Sequence, residues 1–512
     1  MEIATENKDQ QVDLSPLEKI ILSFALCLVA FMFVLDYTIA NVAVPYIAGG
    51  LGVSSDQGTY VITFFSVGNA IFLPMTSWLV KIYGDAKVIV WATILFTFFS
   101  FTCAASPNLI FLVISRFLQG AAAGPLIPLS QGILTKLYRS QVEKISTIFS
   151  MIIMVAPVIG PVIGGYICFN YLWRWIFYIN LPIGAISAFL IAINVKGLKT
   201  EIKKEGFDWV TFLLLLLGMT CLQLFLDKGQ QWDWWNSYRV RFLSITAALS
   251  TAYIILWSYS YKKPLFNFSL FKIGRFSLSC FIIFFAYSLY FAAVVIFPLW
   301  LEDIQGYTST LAGLAVAPMG IGALTGAALI SKAMKRVQPV IFICLGFFWM
   351  GLACLYAASF VPAISFFHVG MSRVLFGFGL SFWMIPTMSM VAKSLPNSDL
   401  ASGLGLFHFL RSLSGGIGTS IYVTMYTRRG YQQHFNLASS FNDYQQRSIE
   451  YYKDIKAYFP DPLAAKSYLN TVVNSQAASF AFCEVNNLMA YILFFLMGVT
   501  IFGFRKKSTT SV

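Results

Sequence analysis

Ala156-Pro157-Val158-Ile159-Gly160-Pro161-Val162-Ile163-Gly164-Gly165 sets two prolines and three glycines inside an apolar run. In an isolated helix in water each interior Pro costs about 3 kcal/mol and each Gly about 1. Inside a membrane bundle the same residues are tolerated, because neighbouring helices satisfy the freed backbone groups. Small residues also let a second helix approach closely. The stretch therefore reads either as a kinked packing helix or as a helix face built for sliding contact. Its surroundings decide between the two.

Those surroundings are a membrane protein's. Of 512 residues, 58% are hydrophobic and only 11% are charged, where soluble domains carry about a quarter. Apolar runs near the roughly 20 residues needed to cross a bilayer recur from Ile20 to Phe504. About fourteen candidate spans begin near residues 18, 58, 88, 109, 145, 176, 208, 241, 276, 311, 339, 365, 403 and 481. The predicted class is an all-α polytopic membrane protein.

The net charge of +13 is distributed by topology and does not point to nucleic acid. An inward N-terminus puts Lys81, Lys136, Arg139, Lys144, Lys199, Lys263, Arg275, Lys335, Lys393 and the Arg505-Lys506-Lys507 tail on one side. The short loops opposite, near 47–57, 106–108, 301–310 and 360–364, hold no Lys or Arg. By the positive-inside rule both termini are cytoplasmic. The acidic start, with Glu2, Glu6 and Asp13, is unlike a signal peptide. The eight cysteines stand singly in apolar runs, a pattern of small packing residues and not of metal ligands or redox pairs.

Two segments repeat. Ser115-Arg116-Phe117-Leu118-Gln119-Gly120 is followed by Ile127-Pro128, and Ser372-Arg373-Val374-Leu375-Phe376-Gly377 by Ile385-Pro386. Both lie in spans of the same direction, as a duplicated six-helix unit requires. The predicted organisation is a cytoplasmic tail at 1–17, a six-helix half at 18–195, linkers with two inserted spans at 196–275, a second six-helix half at 276–503 and a tail at 504–512. Residues 426–480 form a long polar interruption expected to face outward as a flap or docking surface.

Asp36 lies within the first span, in Leu35-Asp36-Tyr37-Thr38-Ile39-Ala40-Asn41. A charge at mid-membrane costs at least about 2.5–3.5 kcal/mol and marks a pathway, unless the residue sits near a helix end and reaches interfacial water. Asp36 and Arg116 stand about eight and seven residues from the outer ends of their spans, so both lie roughly 10–12 Å deep. Level groups of opposite charge can form a pair or share a water network, and burial set against a nearby Arg lets such a pair load and release a proton as access changes. Glu302 and Asp303 read as solvated helix-end acids or as a vestibule for cations. His408 and Arg411 share one helix face; His408 reads as a titrating group or a hydrogen-bonded packing residue. No nucleotide loop, metal motif or nucleophile arrangement stands in the sequence, so no enzymatic chemistry and no cofactor is expected. The energy source is then an ion gradient or the solute's own.

Together these motifs resemble the major facilitator superfamily, in its fourteen-helix drug:proton antiporter branch of the EmrB/QacA type. The resemblance rests on Leu35 to Pro45, on Arg116, Gln119 and Gly120, and on the fifth-span Gly160-Pro161-Val162-Ile163-Gly164-Gly165. It also takes in the run Trp173 to Gly184, Gly306-Tyr307-Thr308, and Arg411 with Gly415-Gly416. It implies two six-helix halves around a central cavity, with two extra helices between them, and proton-driven export by alternating access. Asp36 and Arg116 would couple to protons; Tyr37, Thr38, Asn41, Gln119 and Gly120 would belong to the cavity. Pro157, Gly160, Pro161, Gly164 and Gly165 would form the antiporter helix, with Glu302, Arg373, His408 and Arg411 as secondary candidates. Lys81 departs from the family by replacing the usual acid of the loop after the second span, which puts that loop's ion pair in question. Hydrophobic or amphipathic toxic compounds and protons are the implied solutes. A periplasmic adaptor, an outer-membrane channel and a bacterial inner-membrane location follow from the same resemblance. A dedicated metabolite or siderophore carrier is the alternative on this fold, and a non-transporting sensor or scaffold the alternative of another class.

Overall fold

The computed structural model describes residues 14–194, 206–261, 264–334, 336–396, 399–441, 446–459 and 461–505. The predicted tail up to residue 13, Lys199, Lys263, Lys335 and the basic residues from 506 lie outside the described residues. Every regular element among the described residues is helical. The order begins α1 (Pro16–Leu51), α2 (Ser55–Gly58), α3 (Tyr60–Tyr83), α4 (Asp85–Ala104), α5 (Leu109–Ala123), α6 (Leu126–Leu137) and α7 (Val142–Asn170). There follow α8 (Trp175–Tyr178), α9 (Asn180–Asn194), α10 (Trp209–Lys228), α11 (Tyr238–Ser260), α12 (Gly274–Gln305), α13 (Ser309–Val316) and α14 (Pro318–Ala333). The chain ends with α15 (Pro339–Ala357), α16 (Phe366–Ser394), α17 (Leu400–Ser440), α18 (Gln446–Tyr458) and α19 (Pro462–Arg505). Thirteen helical segments among the described residues are long and apolar enough to cross a bilayer. Of the fourteen expected, the one missing from these is α17, whose Ser, Gly, His408 and Arg411 make its sequence more polar.

Local rules explain the boundaries. Ser15 and Glu18 close a capping box at the start of α1, with Glu18 accepting from the Ser15 amide at 2.8 Å, and Pro16 opens the helix. Asn108 caps α5 by accepting from the Phe111 amide at 2.9 Å. The helix α1 ends at Gly52, whose φ of +65° suits a residue without a Cβ. The two prolines of the opening stretch do not break α7, which runs unbroken from Val142 to Asn170.

The chain forms two compact units, Met1–Ile283 with Thr387–Leu413, and Phe284–Pro386 with Ser414–Val512. In the first, α1 packs along α7 and α9, α3 along α5, and α4 along α5 and α9. The inserted helices α10 and α11 pack on each other, with Gly218 against Ser250. Asp208 fastens their base: it caps α10 through Thr211 and accepts from the Trp257 indole at 3.1 Å. This pair rests on α3, where Thr63 donates to Asp227. Three bonds tie residues 387–413 into the same unit: Lys393 to Glu143, His408 to Gln131, and Asn69 to Ser412. The first unit therefore extends past the predicted boundaries at 195 and 275.

The second unit has its own core, in which Trp300 stacks on Phe482 at 4.5 Å and α15 packs on α19. The two units share one packing device. In the first, a Cβ on Gly68 would lie 2.2 Å from the Phe117 carbonyl oxygen, and one on Gly120 would lie 2.1 Å from that of Phe65. In the second, Gly322 faces the Val374 carbonyl at 2.0 Å and Gly377 that of Met319 at 1.9 Å by the same measure. In each pair the facing residue stands three positions before the partner glycine, so the duplication read from Ser115–Gly120 and Ser372–Gly377 extends to backbone contact.

Residues 426–480 correct an expectation. They are not an irregular flap: α17 continues to Ser440, α18 covers Gln446–Tyr458, and α19 begins at Pro462. The segment includes good helix formers such as Gln, Ala and Lys, and polarity alone does not stop a helix. Glu484 ties the two long helices α17 and α19 together. It accepts from Gln433 at 2.6 Å and pairs with Arg429 at 3.4 Å.

Candidate functional site

The first unit buries a charged network that begins in α1. The residues Leu35, Ile39, Ala43 and Ile47 of α1 pack against Cys103, Ala104, Leu112, Trp173, Ile176 and Phe177. This buried cluster, which also takes in Val61 and Cys168, joins α1, α3, α4, α5, α7 and α8, and Asp36 lies beside it where α9 begins. Asp36 is 2% exposed and Arg116 fully buried. Arg116 Nη1 donates to Asp36 Oδ2 at 2.7 Å. Gln119, one turn further along α5, donates to Asp36 Oδ1 at 3.2 Å and accepts from Arg116 Nη1 at 2.8 Å. Asn180, at the start of α9, donates to Asp36 Oδ1 at 2.6 Å and to Ser100 Oγ at 3.0 Å.

The geometry answers the cost of burial. Desolvating a carboxylate and a guanidinium costs several kcal/mol each, which the pair offsets only with good geometry and further hydrogen bonds. Asp36 has three donors. Arg116 adds an Nε bond to the Val61 carbonyl at 3.2 Å and stacks 4.3 Å from the Phe65 ring centroid. Among the described residues Arg116 Nη2 and Asn180 Oδ1 make no hydrogen bond.

The sequence-predicted residues fall into several places. Asp36, Arg116 and Gln119 come together. Gly120 is a helix contact beneath them. Tyr37 is half-buried with its ring 5.9 Å from Phe65, and Asn41 is half-buried, donating to the Tyr37 carbonyl at 3.4 Å. Thr38 is buried; its hydroxyl is taken by the Val34 carbonyl of its own helix at 2.9 Å. It faces Gly160, where a Cβ would lie 2.1 Å from Thr38 Oγ1, and Gly164 lies against Ile39. The glycines of the opening stretch therefore seat α7 on α1 within one unit. Pro157 and Gly165 are buried and Pro161 half-buried on the same helix.

Elsewhere, His408 is fully buried and bonds through Nε2 to Gln131 Oε1 at 2.6 Å, with Arg411 a turn away and 5% exposed. Glu302 is half-buried near the end of α12. Arg373, the repeat counterpart of Arg116, is 1% exposed. No carboxylate pairs with it among the described residues; it lies 3.7 Å from the Phe297 ring centroid and donates to Ser372 at 3.0 Å. The duplication preserved the arginine and not its acid. The loop after the second span has an ion pair despite Lys81: the acid is Asp85, buried and bonded to Lys136 of α6.

Asn180, Ser100, Phe65 and Phe177 escaped the reading of the sequence. Asn180 stands in the run Trp173 to Gly184, but neither its spacing nor its type distinguishes it from a helix-end asparagine. Substituting Asn180 with Ala removes one charge-assisted hydrogen bond, worth about 1.5–3 kcal/mol. Asn180→Ala is expected to keep the protein folded, with a lowered midpoint in fluorescence-monitored thermal unfolding. If the network supports function, activity should fall by at least about tenfold, the rate equivalent of that bond, in an initial-rate measurement.

The model of the Major Facilitator Superfamily matches residues 26–419. The Escherichia coli K12 multidrug export protein EmrB is 36% identical over 497 residues, covering 96% of this chain and 97% of its own. The Neisseria gonorrhoeae fatty acid resistance protein FarB is 36% identical over 423 residues, covering 82% and 83%. Among solved structures, the human organic anion transporter MFSD10 shares the fold at a TM-score of 0.60, with 14% identity over 94% of this chain and 100% of its own. EmrB is named an export protein and MFSD10 a transporter. With its apolar helices, its duplicated glycine contacts and its buried first-helix acid, the chain belongs to the major facilitator superfamily, among the EmrB-type multidrug export proteins.

Proposed function

We propose that this protein is a proton-coupled multidrug exporter that expels hydrophobic and amphipathic toxic compounds by alternating access. The observation that carries the proposal is the buried Asp36–Arg116 pair, braced by Gln119 and Asn180. An ion pair in a membrane interior is a functional group by default, because packing alone does not repay its desolvation. When Asp36 takes a proton, its attraction for Arg116 is lost and Arg116 must find other acceptors. Gln119 Oε1 and the Val61 carbonyl already hold two of its nitrogens. The two protonation states therefore favour different arrangements of α1, α5 and α9, which is the requirement for coupling a proton to a conformational change.

The reading extends to topology and setting. Counting α17 gives fourteen spans, with both termini cytoplasmic by the distribution of Lys and Arg. The protein is placed in a bacterial inner membrane, with no cofactor beyond the proton gradient. The amphipathic solutes named in its relatives, fatty acids for FarB and colistin for the Acinetobacter baumannii EmrB, fit this substrate class. A periplasmic adaptor and an outer-membrane channel complete the proposal, with the helical 426–480 segment as the surface they would meet.

The test is flux in proteoliposomes. With an imposed pH gradient, the wild-type protein is expected to move several chemically unrelated hydrophobic compounds uphill, with counterflow of protons. Uphill movement of one solute alone would identify a dedicated carrier. No proton movement with any compound would overturn the coupling.

A further inference from the structure

We propose that a groove between α1 and α7 is a binding site for an anionic phospholipid, with one acyl chain along the groove and the phosphate at Lys144. The groove is a consequence of the glycine contacts. The helices α1 and α7 touch closely where Gly160 and Gly164 meet Thr38 and Ile39. Toward their N-terminal and basic ends α7 presents Ile145, Ile148 and Ile152 instead, and the bulkier side chains hold the helices apart. The resulting cavity has a volume of about 590 Å³ and is apolar along its length, with Phe24, Cys27 and Phe31 on the α1 side.

Three observations select the occupant. The α1 side runs from Ile20 to Phe31, about 16 Å at 1.5 Å per residue, or one leaflet of a hydrocarbon core roughly 30 Å thick. Ile20, Phe24 and Ile148 are exposed at its rim, at 61, 59 and 40%; exposed apolar side chains within spans face hydrocarbon, so an acyl chain reaches the groove from the side. Its basic end carries Tyr138, Gln141 and Lys144. Ser23 gives its one proton to the Lys19 carbonyl at 2.6 Å, so the Tyr138 hydroxyl, 3.1 Å away, donates to Ser23 Oγ and the charge at this end comes from Lys144. No carboxylate pairs with Lys144, Arg139 or Lys19 among the described residues. A phosphate there meets the Lys144 ammonium at the level where headgroups lie.

The test is native mass spectrometry of the delipidated full-length protein, titrated with phosphatidylglycerol or phosphatidylcholine of matched chains. A single phosphatidylglycerol adduct is expected at several-fold lower concentration than phosphatidylcholine. Lys144→Glu, at an exposed position, should weaken the phosphatidylglycerol adduct by at least about fivefold, since it removes the attraction of one basic residue and adds a repelling charge, and leave phosphatidylcholine unchanged. Cys27→Trp fills the groove and should remove the adduct. Equal binding of the two lipids, or a preference unchanged in Lys144→Glu, overturns the proposal. Oleate binding below the phosphatidylglycerol concentration, and lost in Cys27→Trp, would assign the groove to a transported amphiphile and also overturn it.

Discussion

Asp36→Asn is expected to bring pH-gradient-driven uphill transport to background while drug binding persists. The substitution is isosteric and keeps an oxygen for Arg116, so the shape of the junction between α1, α5 and α9 survives. What it removes is the charge. A neutral side chain fixes the site in the state that mimics a protonated Asp36, and a coupling group that cannot cycle cannot transduce. The cost to stability is separate: a buried Arg116 without its counter-ion is destabilising by about 3–5 kcal/mol. The two effects are resolved by a second variant, Asp36→Asn with Arg116→Gln. Replacing both members of a buried pair with neutral groups is often nearly neutral for folding. The double variant should thus recover most of the thermal unfolding midpoint and none of the uphill transport. Thermal unfolding and dye-efflux rates in the same proteoliposome preparation make the comparison. Full uphill transport by Asp36→Asn would remove Asp36 from the coupling step.

Much of this was legible in the sequence, and the reason is the membrane. Asp36 and Arg116 stand out because a bilayer makes each charge expensive, and counting residues from a span end places both at one depth. Their 2.7 Å contact agrees with that count, although α1 runs on through Pro45 to Leu51 and ends later than the span reading gave. Asn180 and Ser100 were not legible, because neutral polar residues in spans carry no such penalty and appear in many packing roles. The glycines of α7 were legible as a close-contact face, but not their partner. Only the fold shows that Thr38 and Ile39 of α1 fill the space a side chain would take. The segment 426–480 misled because low hydropathy excludes a lipid-facing span and says nothing about helix. Likewise the replacement of an acid by Lys81 left open whether its loop keeps an ion pair, and Asp85, one residue past Gly84, holds Lys136 from a different place.

Gly120→Ala is expected to disable transport more completely than its size suggests. A methyl group there would stand 2.1 Å from the Phe65 carbonyl oxygen and 2.9 Å from its carbonyl carbon. Backbone atoms cannot swing aside as a side-chain tip does, so α3 and α5 must separate by about an ångström, at a cost typical of overpacking, about 1–3 kcal/mol. The same movement withdraws two supports of the site. Phe65 carries the ring under the Arg116 guanidinium, and Val61, one turn before it on α3, supplies the carbonyl that holds Arg116 Nε. Arg116 would keep its bond to Asp36 but lose the surface that fixes its direction. Gly377→Ala provides the control. It forces the equivalent contact apart, at 1.9 Å from the Met319 carbonyl oxygen, beside Arg373, with which no carboxylate pairs among the described residues. The two variants should lower the thermal midpoint by similar amounts. Proton release on addition of drug, read with a pH-sensitive dye in lightly buffered detergent solution, should vanish in Gly120→Ala and persist in Gly377→Ala. Equal loss in both would mean that close helix approach, and not the support of Arg116, is what the glycine supplies.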